Sequence, residues 1–595
     1  MNLIIMKDFF KNVLASAVGF ILGSILLIVF VVVLLSALVA TLGSSPETTV
    51  KDDSVLELTL DQEIPERTSK NPLEGLNFND LSSVKRLGLN DILKNIDKAG
   101  RDNRIKGIFL HLSGVPAGAA TIEEIRNALL EFRKTGKFIY AYGEYYGQSA
   151  YYLASTADMV CLQPEGGIDF RGIGLELMFF KGAMEKLGIE PEITRHGKFK
   201  SAVEPFLLEK MSPENRLQLE KLAGSIWQRY LSGISTTRKI DVDRLQAVAD
   251  SFVARNASGA LSSGLIDKVC QYDEFLDLLG KKCGWEKPGK EVLLGINSYD
   301  NAYVKSERSY SSDKIAIIYA NGDIKSGKGN DRTIGSLTTA AELRKARLDS
   351  SVKAIVLRIN SPGGSALASD VIWREVVQAK KAKPLVASMG DYAASGGYYI
   401  ACAADSILAQ PNTLTGSIGV FGLSFNGKKM FNEKLGITFD TVNTAHYADF
   451  GSPTRPMRMD EHEMMQMDIE STYDVFISHV AEGRSMQKSA VDSIGQGRVW
   501  TGADAIGIGL VDRLGNLSDA VSMAAKMAKL ENYRTVEMPR QKEVFELLME
   551  DLSEGAETWL LRSSLGEDYR YYESIKETQE QQGILVRMPF GINIR

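Results

Sequence analysis

The chain contains an internal repeat, and two copies of one sequence pattern are expected to fold as two copies of one structure. Ile105–Leu112 (I-K-G-I-F-L-H-L) is similar to Val352–Ile359 (V-K-A-I-V-L-R-I), and the two segments begin 247 residues apart, at 105 and 352. Tyr151–Asp158 and Tyr398–Asp405 have the same spacing. A chain of 595 residues is also too long for a single hydrophobic core. We therefore predict two related domains in tandem.

The repeat sets the predicted domain boundaries at residues 50–300 and 310–535. The polar segment Ser306–Asp313 between them reads as a linker. Residues 536–595 form a tail outside the repeat, and its apolar positions have helical spacing. We interpret this tail as a helical packing or oligomer contact.

Each half alternates apolar runs with helical periods, which is typical of an α/β fold with a parallel sheet. In the second half, strands are predicted at Ile315–Ala320, Ala354–Ile359, Pro384–Ser388 and Ile407–Ala409. The segment Ala366–Lys380 is predicted as a helix with Val371, Ile372, Val376 and Val377 on one face. Ligands of such sheets bind at the carboxyl ends of the strands, so the loops at those ends are the candidate site.

The N-terminus carries a membrane-anchor pattern. Residues 12–46 have no charged side chain, and their centre, Phe20–Ala40, is almost wholly apolar. About 20 apolar residues span a bilayer, whereas the apolar part of a cleaved signal peptide has roughly 7–15. We predict a transmembrane helix at 12–42. Lysines in residues 1–11 keep that end cytoplasmic, which places the bulk of this single-pass chain outside the inner membrane.

Composition excludes several classes of function. The net charge is −6 and no basic stripe is present, so nucleic acid is not a predicted partner. The four cysteines have no C-x-x-C spacing, although Cys270 and Cys283 remain free to pair. His462-Glu463 begins a zinc-protease pattern that Gln466 breaks, since the second His is missing. We predict no metal and no cofactor.

Ser395 lies in the most informative stretch, Met389–Ile400 (M-G-D-Y-A-A-S-G-G-Y-Y-I), between a predicted strand and a predicted helix. Its neighbours Ala394, Gly396 and Gly397 are small, which leaves the hydroxyl uncovered and lets a substrate backbone approach. Free N–H groups at the helix start are suited to an oxyanion. This stretch alone leaves two interpretations of Ser395 open. It is a nucleophile, or it is an N-cap residue, because serine is a favoured helix N-cap.

A second glycine-rich loop, Asn360–Ser365 (N-S-P-G-G-S), follows the strand that ends at Ile359. Pro362 fixes a turn, and Gly363 and Gly364 expose N–H groups of the kind that form an oxyanion hole. Pro-Gly is also a common turn dipeptide. Both loops lie in one strand–helix–strand unit, and together they indicate a catalytic site more strongly than either loop does alone.

The motifs together resemble the signal peptide peptidase (protease IV) family in its long bacterial form. They are S-P-G-G, then M-G-x-x-A-A-S-G-G-Y-Y-I, then Thr413–Gly419, with Lys200–Phe206 (K-S-A-V-E-P-F) in the first half. The resemblance implies a Clp protease/crotonase-like fold in each half and a Ser/Lys dyad. It maps the nucleophile to Ser395, the general base to Lys200, and the oxyanion donors to Gly396 and to Gly363 or Gly364. It also implies signal-peptide remnants as substrates and a homotetramer.

A lysine base is consistent with the residues available. None of the five histidines belongs to a triad motif. A lysine base must be uncharged, and burial lowers a lysine pKa by several units. Lys200 follows Phe199 and precedes small and apolar residues. Lys198 is the local alternative, and a solvated surface lysine is the ordinary interpretation of either.

Each half holds one member of the predicted dyad. By the repeat spacing, Ser395 corresponds to Gln148, and Lys200 corresponds to a region near Tyr447 that has no lysine from Leu435 through Gln487. We predict that the dyad forms at an interface between halves, within one chain or between neighbouring chains.

Two other serines and two other functions are the alternatives. Ser417 lacks the first glycine of G-x-S-x-G, because Thr415 stands there, and is interpreted as a wall of the substrate pocket. Ser365 is interpreted as a helix cap. The alternative functions are a crotonase-type acyl-CoA enzyme, which the absence of a basic phosphate cradle disfavours, and an inactive oligomeric scaffold, which the presence of both Ser395 and Lys200 disfavours.

Overall fold

The computed structural model of the chain describes residues 15–16, 18–27, 30, 48–70, 76–77, 82–83, 86–285, 292–304, 311–541 and 584–588. Most of the predicted linker, and the helical pattern predicted in the tail before Ile584, lie outside these residues.

The first half alternates short strands with helices from Ser54 to Asp300. In chain order its elements are β1 (Ser54–Leu58), β2 (Leu76–Asn77), β3 (Ser82–Ser83), α1 (Leu89–Arg101), β4 (Ile105–His111), α2 (Ala119–Arg133), β5 (Phe138–Gly143), α3 (Gln148–Ala154), β6 (Met159–Leu162), α4 (Lys181–Leu187), β7 (Glu190–His196), α5 (Glu204–Leu207), α6 (Pro213–Arg238), α7 (Val242–Ser251), α8 (Ala257–Ser262), β8 (Lys268–Val269), α9 (Tyr272–Cys283), β9 (Leu293–Gly295) and α10 (Ile296–Asp300).

The second half repeats this alternation from Lys314 onward. Its elements are β10 (Lys314–Asn321), β11 (Asp323–Lys325), β12 (Thr333–Gly335), α11 (Ser336–Leu348), β13 (Val352–Ser361), β14 (Gly363–Ser365), α12 (Ala366–Ala382), β15 (Leu385–Ala394), α13 (Gly396–Ala401), β16 (Ser406–Ala409), β17 (Leu414–Gly416), β18 (Val420–Asn426), α14 (Met459–Arg484), α15 (Lys488–Ile494), β19 (Val499–Thr501), α16 (Gly502–Gly507), β20 (Arg513–Leu514), α17 (Leu517–Met527), β21 (Arg534–Met538) and, in the tail, β22 (Ile584–Arg587).

Each half is built on its own sheet, which confirms the predicted duplication and α/β class. The first sheet has the order β8-β6-β5-β4-β1-β9, with parallel pairing throughout. The second has the order β19-β17-β15-β13-β10-β21, and β16 also pairs with β15. The pair β4 and β5 corresponds to β13 and β15, and α2 and α3 correspond to α12 and α13. Side chains from sheet and helices form a separate buried core in each half.

A third sheet joins the two halves, and this sheet was not predicted. Its order is β12-β11-β14-β22-β18-β7. Strand β7 comes from the first half and pairs antiparallel with β18 of the second, from Val420 opposite His196 to Asn426 opposite Glu190. The tail strand β22 lies between β14 and β18 and is antiparallel to both. The prediction of a helical tail is therefore wrong for Ile584–Arg587, because this segment is extended and pairs its backbone with the edges of β14 and β18.

The predicted strands and helix of the second half are confirmed, with two local differences. The strand predicted to end at Ser388 continues to Ala394 and leads directly into the turn at Ser395. On α12, Ile372 and Val376 are buried, but Val371 is 37% exposed, so the predicted four-residue apolar face is narrower. Cys270 and Cys283 are free thiols and do not pair.

The membrane-anchor prediction falls largely outside the described residues. Within residues 12–42, the structure describes 15–16, 18–27 and 30, all helical. Across the part of the chain that the structure describes, no helix combines the length and the apolar character needed to cross a bilayer.

Candidate active site

Ser395 sits at the junction of β15 and α13, in a backbone conformation that few residues other than glycine adopt. Its φ is 54° and its ψ is −110°, outside the regions favoured by L-residues. The backbone N–H of Ser395 donates to the carbonyl of Gly416 at 2.8 Å, which holds the turn in place. Its side chain makes no capping bond to α13, so the N-cap interpretation fails. The hydroxyl is fully buried, and because it makes no capping bond it is available to hydrogen-bond with another group.

Lys200 reaches this hydroxyl because β7 carries the first half into the third sheet. The residue follows β7 after a three-residue turn and precedes a short 3₁₀ turn at Ser201–Val203. The Nζ atom of Lys200 lies 2.9 Å from the Oγ atom of Ser395, and both residues belong to the same chain. Lys200 is fully buried, whereas the alternative Lys198 is exposed. The structure thus brings the two predicted residues together at the interface between halves.

The hydrogen bonds around Lys200 fit an uncharged amine. Burial lowers the pKa of Lys200 well below its ordinary value. Its Nζ donates to the carbonyl O of Ser417 at 3.2 Å and lies 3.1 Å from the Oγ of Ser417, which in turn donates to the carbonyl of Gly497. A neutral amine has two N–H donors and one lone pair. A neutral amine that donates both N–H groups to Ser417 has one lone pair left to accept from the Ser395 hydroxyl, which lies 2.9 Å away.

Ser417 is the site residue that the sequence interpretation missed. It was assigned to a pocket wall, but both of its oxygens contact the amine of Lys200. Its φ is 50°, and its N–H donates to the carbonyl of Arg498 at 2.7 Å. The sequence around it, Thr-Leu-Thr-Gly-Ser-Ile-Gly at 413–419, offers a serine in a turn-like setting, which is too common to single out a functional serine.

The predicted oxyanion glycines lie beside Ser395. The φ of Gly363 is 108°, and a Cβ atom built there would lie 2.8 Å from the backbone N of Gly396. The same Cβ would lie 2.1 Å from the carbonyl O of Val586 in the tail strand. The N–H of Gly363 donates to the Oγ of Ser361 at 3.2 Å, and Gly364 packs on the backbone of Ile324. Gly363 and Gly396 therefore lie side by side, and the carbonyl of Val586 packs against both.

Replacing Gly363 with Ala should reduce peptidase activity by about 10²–10³-fold, the size of effect known for a lost oxyanion donor, because the added Cβ would push this loop away from the N–H of Gly396. A Cβ atom at this position meets backbone atoms, and the positive φ disfavours any L side chain. The measurement is kcat/KM on a peptide substrate. Gly224→Ala is the matched control, because no atom lies within 4 Å of a Cβ there. Unchanged activity in Gly363→Ala would contradict this role.

A buried ionic cluster joins the two halves directly beneath the site. Arg358 on β13 donates to Glu66 at 2.9 and 3.1 Å and to Glu124 on α2 at 2.8 Å, and all three side chains are at most 4% exposed. Burial raises the pKa of Glu124 to about 7. The Nδ2 of Asn360, which opens the oxyanion loop, donates to Glu66 at 3.1 Å. The first half thus supports the loop that carries Gly363.

The same interface supports the loop that carries Ser395. Asp391 accepts hydrogen bonds from the N–H groups of Ala120 and Thr121 at 2.9 and 3.0 Å, and from the Thr121 hydroxyl at 2.6 Å, at the start of α2. The side-chain O of Asn360 accepts from the N–H of Tyr392 at 3.0 Å. Both active-site loops are therefore anchored to first-half residues as well as to each other.

The corresponding position in the first half has no nucleophile. Helix α3 begins at Gln148 after the cap Gly147, just as α13 begins at Gly396 after Ser395. The helices end at Ala154 and Ala401, which are 247 residues apart, so the repeat spacing pairs Ser395 with Gln148. The side chain of Gln148 instead binds the backbone of the 171–172 loop. Each half supplies one member of the pair, as the repeat predicted.

Several curated proteins similar to this chain are named as proteases. "Protease 4" of Salmonella typhi is 39% identical over 472 residues, covering 78% of this chain and 76% of that protein. "Serine protease SPPA, chloroplastic" of Arabidopsis thaliana is 36% identical over 494 residues, covering 81% and 70%. "Putative signal peptide peptidase SppA" of Enterococcus faecium is 31% identical over 320 residues, covering 52% and 88%.

Family models match both halves of the repeat. The model described as Peptidase family S49 matches residues 131–285 and 377–531, which span Lys200 and Ser395. The model described as Clp protease matches residues 306–415, and the two matches together support tandem Clp protease-like domains. The chain belongs to peptidase family S49 and is a serine peptidase.

Proposed function

We propose that the protein is a membrane-anchored endopeptidase that degrades apolar peptides, signal-peptide remnants among them, with a Ser395/Lys200 dyad. The observation that supports the dyad most directly is the 2.9 Å distance between Lys200 Nζ and Ser395 Oγ in a fully buried setting. Burial lowers the pKa of Lys200, and a lower pKa favours the uncharged amine that can accept the serine proton.

In the proposed reaction, the lone pair of Lys200 takes the proton of the Ser395 hydroxyl as the oxygen attacks a peptide carbonyl. The N–H of Gly396, with Gly363 or Gly364, stabilises the oxyanion. The lysine then gives its proton to the leaving amine, and a water molecule hydrolyses the acyl-enzyme by the same route in reverse order. Ser417 keeps the amine oriented, since its two oxygens accept both N–H donors.

Apolar substrates are supported by the surroundings of the dyad. Val203 and Phe421 lie on the Lys200 side, and Leu222, Leu414 and Val499 lie on the Ser395 side. The name of the E. faecium relative supports signal peptides as one source of such substrates. The membrane location is supported by exposed apolar side chains in the N-terminal helical residues, with Phe20 77% and Leu26 69% exposed. A homotetramer remains part of the proposal, and its test is analytical ultracentrifugation of the detergent-extracted protein.

The test is labelling of the intact protein with a fluorophosphonate, followed by peptide mapping. We expect the label on Ser395, because its hydroxyl is activated by Lys200, and no label in Lys200→Met. The crotonase alternative predicts turnover of an acyl-CoA thioester without labelling. Absence of label from Ser395, with or without thioester turnover, would reject the proposed dyad.

A further inference from the structure

Gln218 is a buried polar residue that the proposed reaction does not use. It lies on α6 of the first half and is only 1% exposed. Its Nε2 atom lies 3.0 Å from the Oγ of Ser201 and 3.3 Å from the carbonyl O of Phe199, and these two residues flank Lys200. One side-chain amide therefore contacts both sides of the turn that carries the candidate base.

The other end of the same amide contacts the second half. The Oε1 of Gln218 accepts a hydrogen bond from the N–H of Val499 on β19 at 3.2 Å. In the antiparallel pair of β17 and β19, Val499 lies opposite Gly416, whose carbonyl accepts the N–H of Ser395 at 2.8 Å. A single side chain and a single strand pair thus connect the turn of Lys200 to the turn of Ser395.

The neighbours of Gln218 fix the orientation of its amide. The carboxylate of Glu204 accepts from the Oγ of Ser212 at 2.6 Å and from the Nδ2 of Asn215 at 3.0 Å, and Glu204 is 1% exposed. Asn215 therefore directs its Oδ1 at the Nε2 of Gln218, at 3.1 Å. The reversed amide would place two acceptor oxygens against each other and would leave Val499 with an N–H facing an N–H. Only the observed orientation satisfies both ends.

We propose that Gln218 is a positioning residue for the dyad, which sets the distance between the Nζ of Lys200 and the Oγ of Ser395. It does so by tying the turn of the base to the strand that holds the turn of the nucleophile. This inference rests on the proposed function and adds a residue to its machinery. Loss of the Gln218 amide leaves both reactive groups present but displaced from each other.

Gln218→Leu should lower kcat by about 10²-fold with KM unchanged, since a displacement of about 1 Å has an effect of this size on a positioned group. The turn should persist, because the N–H of Phe199 also donates to the carbonyl of Gln496 at 2.9 Å. The decisive measurement is fluorophosphonate labelling of Ser395 in the full chain. The rate constant should fall with kcat, whereas the final labelled fraction, which reports the amount of folded protein, should not change.

A second variant keeps the size of the side chain. Gln218→Glu retains an acceptor for the N–H of Val499 but loses the donors directed at Phe199 and Ser201, so it should lower the same rate constant. The matched controls are Gln228→Leu and Gln228→Glu, because Gln228 lies on the same helix and is exposed. Both controls should leave kcat and the labelling rate within about twofold of the unsubstituted protein.

Labelling rates within about twofold of the unsubstituted protein in both Gln218 variants would overturn the inference. A smaller labelled fraction at an unchanged rate constant would also overturn it, because Gln218 would then contribute to folding alone. A higher KM at constant kcat would place Gln218 in the peptide-binding surface and would equally reject a positioning role. Absence of label from the unsubstituted protein would instead reject the dyad, and with it the proposed function.

Discussion

Lys200→Met should reduce kcat/KM by about 10³-fold or more, because the variant removes the only basic group in contact with the Ser395 hydroxyl among the described residues. Ser395→Ala should have an effect of the same size. Since the two groups act as a unit, the double variant should be no worse than either single one. The measurement is steady-state hydrolysis of a peptide substrate.

The control for this prediction is Lys198→Met. Lys198 lies two residues away on the same segment but is exposed, so its replacement should leave activity within about twofold of the original. Mixing Lys200→Met with Ser395→Ala protein should restore nothing, because both dyad members come from one chain. Full activity in Lys200→Met, or recovery on mixing, would contradict the single-chain dyad.

The same variant should make the protein more stable, which distinguishes loss of catalysis from loss of folding. Burial lowers the pKa of Lys200 below 10.5 in the folded chain, while the unfolded chain retains the ordinary value. Between these two values the unfolded chain binds more protons, so the free energy of unfolding rises with pH. Lys200→Met should abolish this contribution and raise the free energy of unfolding at neutral pH. In the unsubstituted protein, kcat/KM should rise with pH as the amine loses its proton.

Arg358→Met should lower the free energy of unfolding by about 3–5 kcal/mol, the usual effect of removing one partner of a buried ion pair. The variant leaves Glu66 and Glu124 without their shared guanidinium in a site that water does not reach. Activity should fall with stability, because Asn360 in the oxyanion loop shares Glu66 with Arg358. Urea unfolding and kcat/KM are measured on the same preparation.

The control for Arg358 is Arg344→Met. Arg344 also pairs with a glutamate, Glu375, but its side chain is 55% exposed, and exposed ion pairs contribute only about 0–1 kcal/mol. Equal losses of stability in the two variants would show that burial of the Arg358 cluster has no special effect.

The sequence predicted the parts of this protein that local patterns encode. The repeat predicted two domains of one fold, since equal patterns of apolar residues bury equal faces. The buried strand before Ser395 predicted that this serine lies at a strand end, but the hydroxyl that was expected to be uncovered is fully buried. The missing lysine in the second half predicted that the dyad crosses between halves.

Other features required contacts between residues far apart in the chain. The pairing of β7 with β18, which delivers Lys200 to Ser395, joins segments more than two hundred residues apart. Contacts between distant segments also produce three further features. These are the contact of Ser417 with Lys200, the cluster of Glu66, Glu124 and Arg358, and the position of β22 between β14 and β18.

What the sequence determined by itself is therefore the repeated fold and the two residues proposed as the dyad, because periodicity and motifs act over a few residues at a time. Only the tertiary structure decided that Lys200 meets Ser395 within one chain, where burial lowers the pKa of the lysine. Burial and strand pairing depend on what the rest of the chain places nearby, and no local pattern records that.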